Sequence, residues 1–304
     1  MKIKNTEIVD TYAEAFKMWG TRIIITGETR QWAMAAARSI TGFATSVIGC
    51  KCEAGIEKEI PAEDTPDLRP GVSVLFFTMD AASLGQRLIE RIGQCVMTCP
   101  TTACYSGLDE ADIANSGGET VNVGGALRYF GDGHQSSKKI DGRRLWRIPV
   151  MDGEFLIDES FYAVRAVGGG NILVIGKDQK STLRAATSAV KAMRELEKII
   201  LPFPDGVVRS GSKVGSKYKS LVASTNDPYC PTLKGTTNSD LPDQVNSVLE
   251  IVIDGLDLES VENAMLAGIH AASKPGIRQI TAGNYGGGLG QYKIELLKLL
   301  ENKK

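Results

Sequence analysis

One carboxylate stands where a sequence seldom puts a charge. Glu250 lies in the run Val248-Leu249-Glu250-Ile251-Val252-Ile253 and is its single charged side chain among five aliphatic ones. Apolar residues two apart share one face of a strand, so Leu249, Ile251 and Ile253 face one way and Glu250 the other. A carboxylate so placed is either exposed on an open sheet face or held at a site where burial raises its pKa. In the second case it can carry a proton near neutral pH.

A second cluster is basic. Arg209-Ser210-Gly211-Ser212-Lys213-Val214-Gly215-Ser216-Lys217-Tyr218-Lys219 joins four cations to small residues. Small residues let a ligand approach the backbone, and lysines neutralise carboxylates or phosphates. Gly206 and Gly211 have the separation of a P-loop, but Ser212-Lys213 reverses the order such a loop needs, and no strand–loop–helix frame surrounds it. Nucleoside triphosphate binding is therefore rejected, leaving a ligand loop or a solvated basic loop. The run Gly283-Asn284-Tyr285-Gly286-Gly287-Gly288-Leu289-Gly290 follows an expected strand, Ile277–Ala282. It reads either as a loop whose amides meet a ligand or as a turn before a C-terminal helix, Glu295–Glu301. It lacks the downstream acid of a dinucleotide fingerprint.

Metal and histidine chemistry find little material. The chain has 6 cysteines and 2 histidines. Cys95 and Cys99 would share a helical face near Cys104, yet no CxxC pair or nearby histidine completes a zinc set. Buried structural thiols are the expectation, and no metal site is assigned. His134 falls in a turn-like Gly131-Asp132-Gly133-His134, and His270 sits late in a helix, where it suits the helix dipole.

The elements that must position these residues occur twice. Val72, Val74 and Phe76, then Asp80, then Leu84, Leu88 and Ile92 form a strand, a cap and a helical stripe. Leu249, Ile251 and Ile253, then Asp257, then Val261, Met265 and Ile269 repeat it at the same offsets. Each Asp can accept from the orphan amides of a first helical turn. Arg22–Gly27 followed by a helix near Thr29–Ile40, and Asn171–Gly176 followed by a helix near Lys180–Leu196, give a fainter second correspondence. The order in each half is β-α-β-β-α-β. The expected fold is α+β: two ferredoxin-like domains arising by duplication, each with inserts, over residues 1–151 and 152–304. One insert, 106–144, reads as a surface excursion with some strand near Ala126–Phe130. The other, 204–247, is a long polar connection, of a kind usually functional or disordered, and Tyr218, Tyr229, Pro228 and Pro231 argue for an ordered loop. The repeat sets Glu250 opposite Ser73 of the first copy.

Composition narrows the field. The 304 residues hold 42% apolar side chains, with 35 basic against 36 acidic ones and a formal net charge of −1. That balance favours neither nucleic acid nor an anionic membrane. No apolar run approaches the roughly 18 residues needed to span a bilayer, and the N-terminus lacks the apolar centre of a signal peptide. A cytoplasmic protein with free thiols is expected.

The strings ITGFATSVIGCKCEAGIE, RIGQCVMTCPT, GVVRSGSKVGSKYK, ASTNDPYCPTLK and TAGNYGGGLGQY, in order along the whole chain, resemble formylmethanofuran–tetrahydromethanopterin N-formyltransferases. The resemblance implies a duplicated ferredoxin-like fold and a homotetramer built from dimers. It implies transfer of a formyl group between N-formylmethanofuran and N5 of tetrahydromethanopterin in one-carbon metabolism, with both carriers as substrates and no tightly bound cofactor. Glu250, in its Ser247-Val248-x-Glu250 context, aligns with the glutamate associated with catalysis in that family. The charge of the basic loop then points to Arg209, Ser212, Lys213, Ser216 and Lys217 as binding residues for the carriers' acidic tails. Ser224, Thr225, Asn226 and Asp227 are candidates to orient the formyl oxygen, with Tyr229 beside them. Direct transfer in a ternary complex is simpler than a formyl-thioester on Cys230. Two rival readings remain: the same type of subunit working oxidatively in a formyltransferase/hydrolase complex, and a non-catalytic ferredoxin-like binding or assembly module. Some members of the family it resembles, from salt-rich cytoplasm, are markedly acidic and need high salt to assemble; the net charge of −1 here predicts a tetramer that survives low salt.

Overall fold

The computed structural model describes residues 1–108, 110–140 and 142–302. Asp109 and Asp141 of the first insert, with Lys303 and Lys304, lie outside the described residues. The chain forms two compact units: Met18–Ala166, and Met1–Lys17 together with Val167–Lys304. The expected division after residue 151 falls in the turn between strands Arg143–Val150 and Gly153–Asp158, which pair antiparallel within one unit.

In the unit Met18–Ala166, strand Gly71–Thr78 lies between Cys52–Ile60 and residues 19–26 of the strand Tyr12–Thr26, antiparallel to both. Ala103–Ser106 pairs antiparallel on the far side of residues 23–26. Helix Arg30–Thr41 follows the first of these strands in sequence and helix Ala81–Arg91 follows the third. Numbered along the chain, the four strands lie in the order 4-1-3-2. The apolar stripes do what their period implies, since Val72, Val74, Phe76, Leu84, Leu88 and Ile92 are all fully buried in one core with Ile23, Ile25 and Ile40. Burying each large aliphatic or aromatic side chain contributes about 1.5–3 kcal/mol.

The other unit repeats the arrangement. Residues 167–176 of the strand Phe161–Gly176 pair antiparallel with Ser247–Gly255 on one side and Ile277–Thr281 on the other. Ile199–Ile200 pairs on the outer side of Ser247–Gly255, giving the same 4-1-3-2 order, and Thr6–Ile8 adds parallel to Ile277–Thr281. Helices Gln179–Met193 and Leu258–Ala272 cover one face. Their buried Ala185, Ala189, Val261, Met265 and Ile269 pack with Ile172, Val174, Ile251 and Ile253. The approach is close: a Cβ on Gly170 would sit 2.3 Å from a methyl of Val261. Strand Tyr292–Glu295 pairs with Tyr12–Ala15, which is why the first 17 residues belong here.

Three helices start with one device, Asp-x-x-Ser. The Asp80, Asp178 and Asp257 carboxylates accept the amides of Ser83, Ser181 and Ser260 at 2.8, 2.7 and 2.8 Å. In general an N-cap of this type is worth about 1 kcal/mol.

Three local expectations change. Residues 124–131 are helical rather than strand, as Gly124–Leu127 and Arg128–Gly131. Strand pairing is replaced there by local bonds such as Leu127 N–H to Val123 O at 2.9 Å, and by the Arg128 guanidinium stacked over Tyr129 and Trp146. Cys95 lies in a π-helical turn, Ile92–Val96, where Met97 N–H reaches back to Ile92 O at 2.9 Å. This wider turn breaks the four-residue register that would align Cys95 with Cys99. The C-terminal helix is Leu296–Asn302, with the strand Tyr292–Glu295 between it and the glycine run.

Candidate active site

Glu250 occupies the sheet face away from the two helices. Partners directly across an antiparallel pair project to the same face. Leu173 is opposite Glu250 on one side and Thr281 is opposite Leu173 beyond it, so Glu250, Leu173 and Thr281 form one row. Two strand spacings separate the ends of that row, about 10 Å. Val248 and Ile175 form the next row and Val252 and Asn171 the one before. On its other edge Glu250 exchanges two backbone hydrogen bonds with Val208, at 2.8 and 2.9 Å. Leu173 and Val208 are both buried. The half-buried Glu250 side chain is thus ringed by aliphatic neighbours, and its burial pushes the carboxyl pKa from 4.5 up to about 7. Desolvation by burial is the cause, so the group is poised between its two protonation states at neutral pH.

The long insert closes over this face. Tyr229, Leu241 and Val245 pack with Ile175 and Val248. The Tyr229 hydroxyl, half-buried, hydrogen-bonds Thr281. Lys234 staples the insert by donating from Nζ to the carbonyl oxygens of Pro242, Asp243 and Val245 at 2.7, 3.0 and 2.6 Å. Sequence reading gave this lysine no role, since nothing in it distinguishes a structural ammonium from a solvated one.

The basic segment is a small hairpin. Lys213 and Val214 pair with Ser224 and Ala223, and Ser224 Oγ donates to Gly215 O at 2.7 Å. Lys213 forms an ion pair with Asp227; that hydrogen bond, joined by the charges of Lys213 and Lys217, holds the Asp227 carboxyl below its ordinary pKa. The hairpin therefore brings Lys213, Ser224 and Asp227 together. Arg209 directly follows the Val208 bridge and is exposed, as are Ser212 and Lys217, while Ser216 Oγ accepts Tyr218 N–H at 3.0 Å. Thr225 Oγ1 and Asn226 O each lie 3.3 Å from Cys230 Sγ. The Asp227 amide donates to Thr225 O at 2.9 Å, so both polar ends of Asp227 are engaged inside the loop.

Two further residues escaped the sequence reading. Asn171 clamps the start of the glycine run, accepting Gly283 N–H at 2.5 Å and donating to Gly283 O at 3.1 Å. Glu14, fully buried, gathers the amides of Tyr285, Gly287, Leu289 and Gly290, the last three at 3.1, 3.0 and 3.0 Å. Burial pushes its carboxyl upward, but these four donors outweigh it and leave the pKa below its ordinary value. The signal was available: Glu14 is a lone charge within Tyr12-Ala13-Glu14-Ala15-Phe16, as Glu250 is within its own strand.

At the place of Glu250 the other unit carries Ser73, whose Oγ donates to Glu57 at 2.6 Å. Glu57 is clasped bidentately by Arg22 at 2.7 and 2.6 Å. A carboxylate is present in that half too, but there it is tied to a guanidinium. Among the described residues no group of three or more His, Cys, Asp and Glu could hold a metal ion. His134 and His270 are both exposed, His270 in the last turn of its helix. No helix among the described residues is long and apolar enough to cross a membrane.

Known proteins match the chain over nearly its whole length. A family model described as formylmethanofuran-tetrahydromethanopterin formyltransferase matches residues 1–150, and one described as FTR, proximal lobe, matches residues 153–299. A formylmethanofuran–tetrahydromethanopterin formyltransferase of Methylobacillus flagellatus is 54% identical, covering 99% of this chain and 100% of that one. The solved formyltransferase of Methanosarcina barkeri superposes with a TM-score of 0.91 at 47% identity, over 98% of this chain and 100% of that one. A chain of the formyltransferase/hydrolase complex of Methylorubrum extorquens, solved with methylofuran, reaches a TM-score of 0.94 at 49% identity, over 99% and 98%. The chain belongs to the formylmethanofuran–tetrahydromethanopterin formyltransferase family.

Proposed function

We propose that this protein transfers a formyl group between N-formylmethanofuran and N5 of tetrahydromethanopterin, with Glu250 as its proton carrier. The observation that carries the assignment to Glu250 is its carboxyl, brought to about pKa 7 by burial on the sheet face that the long insert packs against. In the forward direction N5 of the pterin attacks the formamide carbon, and the carbonyl pair moves onto oxygen. The tetrahedral intermediate collapses as the methanofuran nitrogen leaves. The attacking nitrogen must lose a proton and the leaving nitrogen must gain one. A carboxylate that accepts the first and returns the second balances the reaction without net change to the enzyme. No electrons change hands, so the chemistry calls for no redox cofactor. Holding both carriers at once makes the attack effectively intramolecular, which supports direct transfer in a ternary complex.

Arg209, Ser212, Lys213, Ser216 and Lys217 present cations and hydroxyls to the carriers' acidic tails in this reading. Ser224, Thr225 and Asn226 stand on the loop that would meet the formyl group, with Asp227 orienting Lys213. The shared 4-1-3-2 strand order supports a duplicated ferredoxin-like plan with one copy in each unit. A cytoplasmic homotetramer completes the reading. The test is formyl transfer between the two purified carriers, with Glu250→Gln as the decisive variant; transfer undiminished in that variant refutes the role of Glu250.

The likeness to the Methylorubrum extorquens complex favours one second reading, in which the chain works as the transferase subunit of a formyltransferase/hydrolase assembly. Affinity purification from the native cell decides: co-purifying hydrolase subunits support it, and a chain recovered alone opposes it.

A further inference from the structure

The loop Gly283–Gly290 has the composition of an anion-binding turn, since amides that converge from a glycine-rich segment usually cradle a phosphate or carboxylate. Here the cradle is already full. Tyr285, Gly287, Leu289 and Gly290 all direct their N–H groups to the Glu14 carboxylate, which is supplied by the protein itself and has no exposed surface. Gly286 and Gly287 take φ of +74° and +78°, and a Cβ on Gly290 would stand 2.8 Å from Ala15 O, so the wrap admits no side chain at its tightest point. The loop turns outward the ring of Tyr285, 39% exposed, and the side chain of Leu289, 48% exposed. The Tyr285 ring lies 6.0 Å from that of Phe16 at 51°, a tilted pairing that limits its swing.

The position of this loop ties it to Glu250. Asn171 holds Gly283 from both sides, and Asn171 is on the Glu250 face, one row away, about 7 Å along the strand. Thr281, two residues before the loop, ends the row that Glu250 begins. We propose that Glu14 is a positioning residue for the transfer: it occupies the loop's anion cradle and so fixes Tyr285 and Leu289 as an apolar contact for the flat, uncharged ring portion of one carrier. This role rests on the functional reading above. Charge recognition then belongs to the basic hairpin and ring recognition to the glycine loop.

The test uses the full chain with Glu14→Gln, Tyr285→Ala and Leu289→Ala. Transfer rates are recorded with each carrier varied in turn, and each carrier is also titrated calorimetrically. Gln keeps the size of Glu14 but offers one acceptor oxygen to four amides. The expected result is a KM raised about tenfold for the same single carrier in all three variants, with kcat and the other KM kept within about twofold. A merely structural Glu14 would lower stability and leave both KM values alone; that result overturns the proposal. Should Glu14→Gln fail to fold, Tyr285→Ala and Leu289→Ala decide, and unchanged KM and affinity for both carriers overturns it. A wild-type chain that shows no transfer refutes the functional reading instead, while weaker calorimetric binding of one carrier in the variants still upholds the loop's role.

Discussion

Replacing Glu250 by glutamine should change stability and turnover in two separable ways. The carboxyl titrates at about 7 in the folded chain against 4.5 when free. Well below pH 4.5 it is neutral in both states and costs nothing. Between these values the folded state binds the extra proton, so stability falls as pH rises and the loss is complete above about pH 7. At 1.36 kcal/mol per pKa unit the full penalty is about 3 kcal/mol, of which about 2.5 kcal/mol accrues between pH 5 and pH 8. The amide of the variant cannot ionise. Urea unfolding of wild type and Glu250→Gln at pH 5 and pH 8 should therefore show the variant gaining about 2.5 kcal/mol relative to wild type across that interval. Distant titrating groups cancel in the difference. Turnover should fall roughly 10²–10⁴-fold with both carriers saturating, the usual worth of a positioned proton carrier. A stability difference independent of pH would refute the burial argument, and near-normal turnover would refute the catalytic one.

Lys213→Ala removes a solvent-screened ion pair with Asp227, so stability in urea titration should barely move while carrier KM rises. Asp80→Ala deletes the cap of helix Ala81–Arg91 and should cost about 1 kcal/mol at unchanged KM, by the same titration with steady-state kinetics. Gly290→Ala drives a Cβ to 2.8 Å from Ala15 O and from Glu14 Cβ; reduced kcat/KM with nearly intact far-UV circular dichroism is expected. Light scattering after dialysis into low salt should show an undissociated tetramer, because a chain of net charge −1 needs no ions to screen self-repulsion.

What the sequence disclosed was local and periodic. The alternation at Leu249, Ile251 and Ile253 and the stripe at Val261, Met265 and Ile269 predicted faces that are buried as expected, because strand and helix periods are written in neighbouring residues. Asp80 and Asp257 were legible as caps for the same reason. Glu250 could be singled out because a lone charge in an aliphatic strand contradicts its surroundings. Long-range pairing was not legible. Nothing in Tyr12–Ala15 says that it will pair with Tyr292–Glu295, and so the place of the first 17 residues could not be foreseen. The tether between Val208 and Glu250 uses backbone groups that every residue possesses, so it leaves no mark on side-chain pattern. The lysine that pairs with Asp227 and the one that staples the insert look alike in sequence; only their partners tell them apart.

The Lys234 staple bears on how such an enzyme can diversify. Its ammonium grips the carbonyl oxygens of Pro242, Asp243 and Val245, and a carbonyl is the one acceptor that mutation of a side chain does not remove. The insert is thus held by a contact blind to the identity of the residues it fastens. Drift along 242–245 can exchange side chains while the staple persists, whereas loss of Lys234 releases three carbonyls at once. A descendant lineage has freedom to vary the side chains of this stretch, provided this single lysine is inherited.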